Sequence, residues 1–174
     1  MILAAGASRR AGRQKLLAEF RGRRMLDYAL EAAAPWRPLV VAGPSVADAL
    51  AGRSGITLIR NTEPERGMSH SLRLADARLP AEAWLVLLLG DQPLVTADLI
   101  RALGEAIEGA DVVYPIHPES GVPGHPVFFS PHARAKIAAL EDGDTIHRLR
   151  DDATLVRRAV PTSDEGAFFD VDAL

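Results

Sequence analysis

The run Leu85-Val86-Leu87-Leu88-Leu89 is aliphatic at every position and closes on Gly90-Asp91-Gln92-Pro93. A strand with one wet face alternates apolar and polar side chains. A strand that is apolar throughout is buried on both faces, which occurs where helices cover both sides of a parallel sheet. Further apolar runs read as strands at Ile2–Ala5, Leu39–Ala42, Thr57–Ile59 and Asp111–Ile116, and the central run extends back to Trp84. Helical patterns lie between them at Met25–Ala34, Val46–Ala51, Ser69–Ala77 and Ala97–Glu108, with Thr96 or Asp98 as N-cap of the last. This alternation predicts βαβ units in an α/β fold with a mostly parallel sheet. The second half is more irregular. Pro115, Pro118, Pro123 and Pro126, with Gly121 and Gly124, mark a long loop. A helix is predicted over Pro131–Leu140, a shorter one over Thr145–Arg150, and a late strand over Thr154–Val160.

The chain has 174 residues, a formal net charge of -3 and no cysteine. One domain, 1–174, is the expectation, with no repeat and no linker to divide it. The charge balance offers no basic field for nucleic acid. The missing cysteines exclude disulfides, zinc-thiolate sites and a cysteine nucleophile. No run approaches the ~20 apolar residues of a membrane span, so the expected location is the cytoplasm and the expected partners are small molecules.

The residues that carry chemistry begin at the first strand. Leu3-Ala4-Ala5-Gly6 ends in small residues, and the polar loop that follows carries Ser8, Arg10, Gly12 and Lys15. Small residues allow a ligand to approach the backbone, whose N–H groups can meet oxyanions. Arg10 and Lys15 add fixed positive charge. Only two lysines, Lys15 and Lys136, occur in a chain that otherwise uses arginine, which points to a specific use for the compact ammonium of Lys15. Lys15 is followed by Leu16, not by Ser or Thr, and the glycine spacing is wrong for a dinucleotide fingerprint. Both common phosphate-loop motifs are thereby excluded.

Asp91, directly after the central strand, sits where ligands bind in open parallel sheets. A carboxylate there suits Mg²⁺, which takes one or two carboxylates plus substrate phosphates. Asp170-Val171-Asp172 alternates two carboxylates onto one side of an extended segment, a candidate second metal ligand. Asn61 and Gly67-Met68-Ser69-His70-Ser71 place polar groups near a helix start, suited to a nucleotide or simply to capping. Gly121-Val122-Pro123-Gly124-His125-Pro126 could bring His125 to a substrate. The five histidines lack zinc-ligand spacing.

In this order the signals resemble the nucleotidylyltransferases that attach a nucleotide to molybdopterin, and more closely their cytidylyltransferase branch. The opening pattern of that family, Leu-Ala-Ala-Gly-x-Ser-x-Arg-x-Gly-x-x-Lys, is matched from Leu3 to Lys15. Gly67-Met68-Ser69 with Ser71-Leu72, Asp91 with Pro93, Gly124-His125-Pro126 and Asp170-Val171-Asp172 follow in family order. The resemblance implies a single-domain Rossmann-like three-layer α/β/α fold of the nucleotide-diphospho-sugar transferase type. It implies Mg²⁺-dependent attack of the molybdopterin phosphate on the α-phosphate of CTP, with release of pyrophosphate.

It further implies catalytic roles for Arg10, Lys15 and Asp91, and nucleotide contacts from Leu3, Ala4, Ala5, Gly6, Ser8, Asn61, Ser69 and Ser71. Asp91 and Asp172, with Asp170 less centrally, would hold the metal. Gln92, Gly124, His125 and Arg148 would meet the acceptor, and a molybdoenzyme apoprotein is an implied recipient of the product. The chain departs from the pattern at Thr145-Ile146-His147, where the branch usually has a Gly and a small residue before Arg148. The tail lacks the usual Thr-Pro-x-Asp continuation after Asp172. GTP in place of CTP, another phosphorylated acceptor such as a sugar or alditol phosphate, and a non-catalytic carrier of the cofactor are the alternatives.

Overall fold

A computed structural model describes residues 1–6 and 14–171. Strand β1 spans Ile2–Ala4, and a short hairpin follows from β2 (Glu19–Phe20) and β3 (Arg23–Arg24). Next come α1 (Met25–Ala33), β4 (Leu39–Ala42), α2 (Pro44–Ala49), β5 (Thr57–Arg60), α3 (Met68–Asp76) and β6 (Leu85–Leu89). The chain continues through α4 (Ala97–Gly104), β7 (Val112–Ile116), β8 (Val127–Phe129), α5 (Pro131–Arg134), α6 (His147–Arg150) and β9 (Arg157–Pro161). Seven strands form one sheet in the order β5-β4-β1-β6-β8-β7-β9. All are parallel except β8, which runs antiparallel to both neighbours.

Period-two alternation sorts the strand side chains into two cores. Ile2, Ala4, Val40, Ala42, Leu88, Val113 and Phe128 pack with α1, α2 and α4 on one face. Val41, Leu85, Leu87, Val112, Val127 and Phe129 pack with α3, α5 and α6 on the other. The expected α/β/α layering with a mostly parallel sheet is therefore the observed one, and the apolar run at Leu85–Leu89 is its central strand.

Topology decides where a ligand can sit. From β1 the chain builds outward through β4 to β5, then crosses back through α3 to place β6 on the other side of β1. Such a reversal opens a crevice beyond the carboxyl ends of the two inner strands. Gly90 lets β6 end close against β1. Its N–H donates to Leu3 O at 2.9 Å, and a Cβ there would meet Leu3 O and Leu26 Cδ1, each at 3.1 Å.

Several boundaries differ from the sequence reading. Strand β8 lies directly after the proline- and glycine-marked loop, in a stretch to which the sequence assigns no element. Its Val127, Phe128 and Phe129 are all buried, and an antiparallel insertion between two parallel strands leaves no local period to read. The β2–β3 hairpin also escapes, being only two residues on each side. The helix expected over Pro131–Leu140 is broken into α5 and a short 3-10 turn, Ile137–Ala139. The late strand is shifted to Arg157–Pro161, a mostly exposed edge. Thr96, and not Asp98, caps α4, its hydroxyl accepting from Leu99 N at 3.1 Å.

Candidate active site

The first half of the site is the end of β1. Ala5 is buried, whereas a Cβ added at Gly6 would meet nothing within 4 Å among the described residues. Lys15 opens a 3-10 turn, Lys15–Leu17, pinned to the core by buried Leu16. Its ammonium lies 3.1 Å from Asp91 Oδ2, with the two side chains 17% and 30% exposed. A cation from the β1 side and a carboxylate from the end of β6 thus meet across the switch point. Ser8, Arg10 and Asp172 lie outside the described residues. The Asp170-Val171 segment does reach the site, because Val171 N donates to Asp91 O at 3.2 Å and Val171 is buried.

Asn61 and Ser71 are brought together, but by each other. Asn61 Nδ2 donates to Ser71 Oγ at 3.0 Å, and Asn61 Oδ1 accepts from Glu63 N at 2.9 Å. Both side chains are buried, so the pair ties the end of β5 to α3. Ser69 is also buried, yet its hydroxyl has no hydrogen-bond partner among the described residues. Gly67, at φ 88°, starts α3 and packs on Gly143, 3.1 Å from where its Cβ would be. A side chain would be strained there by both backbone and contact.

The second half is built on β8. Gly124 is demanded by packing, since a Cβ would fall 2.2 Å from Ala167 O. His125 donates its backbone N–H to the same Ala167 O at 2.8 Å. Burial pushes the His125 imidazole down to about 4, with the Arg150 and His147 fields acting the same way and Asp91 opposing them. The ring is therefore neutral near pH 7. Gln92 is buried, and neither its Oε1 nor His125 Nε2 has a partner among the described residues. Unpaired buried polar atoms are rare and costly, so such atoms mark places where a ligand or water belongs.

The structure places Arg148 apart from this group. It is 57% exposed and paired with Asp144 at 2.7 Å, four residues back. Arg150, which sequence reasoning missed, is the buried cation here. Its Nε and Nη2 hold Asp151 at 2.9 Å each, and Nη2 also meets His147 Nδ1 at 2.8 Å. No local sequence signal ranks it above Arg148; its place on the buried side of α6, beside buried Leu149, is set by packing. A separate cleft of about 550 Å³ opens near Trp36, Leu39, Trp84 and Val86, and none of the candidate residues lines it. No group of three or more His, Asp or Glu side chains able to hold a metal occurs among the described residues. The described helices include none long and apolar enough to cross a membrane.

A switch-point crevice with a lysine and an aspartate at its mouth is the place where an open α/β sheet can take a ligand. The chain belongs to the MobA-like NTP transferase domain family, whose model matches residues 1–159; it is a nucleotidyltransferase. A curated relative, the bifunctional protein GlmU of Novosphingobium aromaticivorans, is 34% identical over 120 residues, or 64% of this chain. The aligned region is 26% of that protein, so the chain spans about a quarter of its length.

Among solved structures, Rv0371c of Mycobacterium tuberculosis H37Rv superposes with a TM-score of 0.79 at 26% identity, covering 92% of this chain and 85% of that one. A manganese complex of Rv0371c gives 0.74 at 23%, with the same coverage of 92% and 85%. The molybdopterin-guanine dinucleotide biosynthesis protein A of Archaeoglobus fulgidus gives 0.73 at 19% identity, covering 99% and 91%.

Proposed function

We propose that the protein transfers the nucleotidyl group of a nucleoside triphosphate, with CTP favoured, to the phosphate of a molybdopterin-type acceptor, releasing pyrophosphate. The observation that carries this reading is the Lys15–Asp91 pair, 3.1 Å apart at the mouth of the β1/β6 crevice. In the transfer, Lys15 turns from Asp91 to the triphosphate, with Arg10 as a second counter-charge. The small residues Ala4, Ala5 and Gly6 let the phosphates approach the β1 backbone. Leu3 lies beneath them, and Ser8 and Ser69 offer hydroxyls.

A single half-buried carboxylate fits a divalent cation of the Mg²⁺ kind, which takes one or two carboxylates together with substrate phosphates and water. Asp91 would hold it, with Asp172 or Asp170 as second ligand. The manganese complex of Rv0371c supports a divalent metal in this fold. A cation held there would supply neutralisation of the charge that develops on the transferring phosphate. No covalent nucleophile is needed, because positioning and charge stabilisation account for such transfers.

The test is pyrophosphate release with Mg²⁺, each nucleoside triphosphate in turn, and molybdopterin as acceptor. Release with CTP supports the proposal in full. Release with GTP alone overturns the cytidylyl assignment, and no release with any nucleotide overturns the enzyme reading for this acceptor. A panel of sugar and alditol phosphates then decides whether the acceptor differs. Asp91→Ala should lower turnover by about 10²–10³-fold, the scale for one electrostatic group, at an unchanged melting temperature. Near-normal turnover in that variant would remove Asp91 from the reaction.

A further inference from the structure

The loop that leads into α6 runs between two buried side chains, Leu140 and Ile146. Its middle is held from a distant part of the chain. Arg66 Nε donates to Asp142 Oδ2 at 2.8 Å, and Arg73 Nη2 donates to Asp142 Oδ1. Each guanidinium has a second partner that steadies it, Glu63 Oε2 for Arg66 at 3.2 Å and Leu140 O for Arg73 at 2.6 Å. Backbone completes the junction. Gly143 N donates to Arg66 O at 3.1 Å, and Gly67 packs on Gly143. Asp144, by contrast, folds the loop on itself, accepting from Glu141 N at 2.8 Å and from Arg148.

Asp142 is 46% exposed, and ion pairs on the surface add little to stability. One carboxylate gripped by two planar forks does fix a geometry, because it sets the distance and the angle between the elements that carry them. Here those elements are the two sides of the candidate site. Arg66 and Arg73 flank the start of α3, where the Ser69 hydroxyl is buried and unpartnered among the described residues. On the loop side α6 follows at once, with Arg150 N donating to Ile146 O at 2.9 Å. That helix carries the Arg150–His147 contact, whose fields reach His125.

We propose that Asp142 is a positioning residue for the transfer: by joining Arg66 and Arg73 it seats the 140–146 loop on the start of α3 and so sets where α6 stands across the crevice. This rests on the transferase reading. Asp142 meets no reacting atom, and it acts only through the two arginines and the loop. Its loss moves α6 without removing any contact that β1 or α3 offers a nucleotide. The effect therefore falls on the rate of transfer and spares nucleotide affinity.

The experiment compares wild type, Asp142→Asn, Asp142→Glu and Glu141→Gln as full chains, by steady-state pyrophosphate release with Mg-CTP and molybdopterin and by histidine ring ¹⁵N and ¹³C resonances without substrate. Asp142→Asn should lower kcat by about tenfold or more, the scale for small misplacements, with the KM for CTP and the urea midpoint unchanged. Asp142→Glu keeps the charge and both acceptor oxygens and should recover most of the rate. Glu141→Gln, an exposed neighbour, should behave as wild type. In an Arg66→Gln, Arg73→Gln background, Asp142→Asn should cost nothing further, because the three residues act as one unit. Without substrate, Asp142→Asn should shift the His147 and His125 signals and leave His132, beside Asp111, in place. The proposal is overturned if kcat is unchanged, if CTP affinity and the urea midpoint fall along with kcat, or if the His147 and His125 signals stay where they are. Should Asp142→Asn fail to fold by circular dichroism, Arg73→Gln takes its place, and the same rates and signals decide. No pyrophosphate release from the wild type with any substrate pair sinks the transferase reading alone, and the histidine signals then still decide whether Asp142 places α6.

Discussion

His125 gives a pH dependence that can be worked through. An unfolded chain protonates this imidazole near 6.5, whereas in the fold it stays neutral down to about 4. Between those values the unfolded state binds the extra proton, so folding stability falls as pH drops from 6.5 toward 4. At about 1.4 kcal/mol per tenfold in protonation, the gap amounts to at most about 3.5 kcal/mol. The ring keeps some solvent contact, so about 2–3 kcal/mol is the expected size. That is a large share of the roughly 5–15 kcal/mol that holds a domain together.

The assay is urea unfolding of the wild type and His125→Asn, followed by tryptophan fluorescence between pH 7 and about pH 4.5. Asparagine is polar, similar in reach and does not titrate. Carboxylate protonation weakens both proteins alike, so the difference between the two curves isolates the imidazole. Relative to its value at pH 7, the wild type should lose about 2 kcal/mol more than the variant by the acid end. Parallel curves would refute the reasoning and mean that the ring is hydrated, or paired, in the folded protein.

Other outcomes follow from particular contacts. Lys15→Ala should raise the KM for the triphosphate and lower kcat together, because the ammonium serves both binding and charge neutralisation; steady-state kinetics over a range of nucleotide concentrations checks this. Gly124→Ala places a methyl 2.2 Å from Ala167 O and should destabilise the fold by about 1–3 kcal/mol, read from the urea midpoint. Arg134 is buried, with Nε 2.7 Å from Asp76 Oδ1 and Nη1 2.7 Å from Pro80 O, and it also reaches Ala83 O. Arg134→Met would leave these groups unpaired, with an expected loss of about 3–5 kcal/mol by the same assay and catalysis unaffected at low temperature.

What the sequence determined by itself is the layout of the first half. A run apolar at every position can be stable only between two covered faces, and small residues after a short strand leave backbone open to a ligand. Those are local facts, so the central strand, the βαβ alternation and the approach of Lys15 and Asp91 to one crevice could be read from the chain. Where distant contacts decided, the sequence was silent. Val127–Phe129 follows prolines and glycines that announce a loop, yet it becomes a strand because β6 and β7 offer hydrogen-bonding edges on both sides.

The hydrogen bond between Asn61 and Ser71, which ties the end of β5 to α3, could not be read from the sequence. Arg148 and Arg150 are chemically identical and two residues apart, and nothing local ranks them. Helical geometry turns one outward to Asp144 and the other inward to His147, because residues two apart on a helix face different sides. Which cation reaches the site is a property of tertiary packing, since it depends on what lies beneath each side chain.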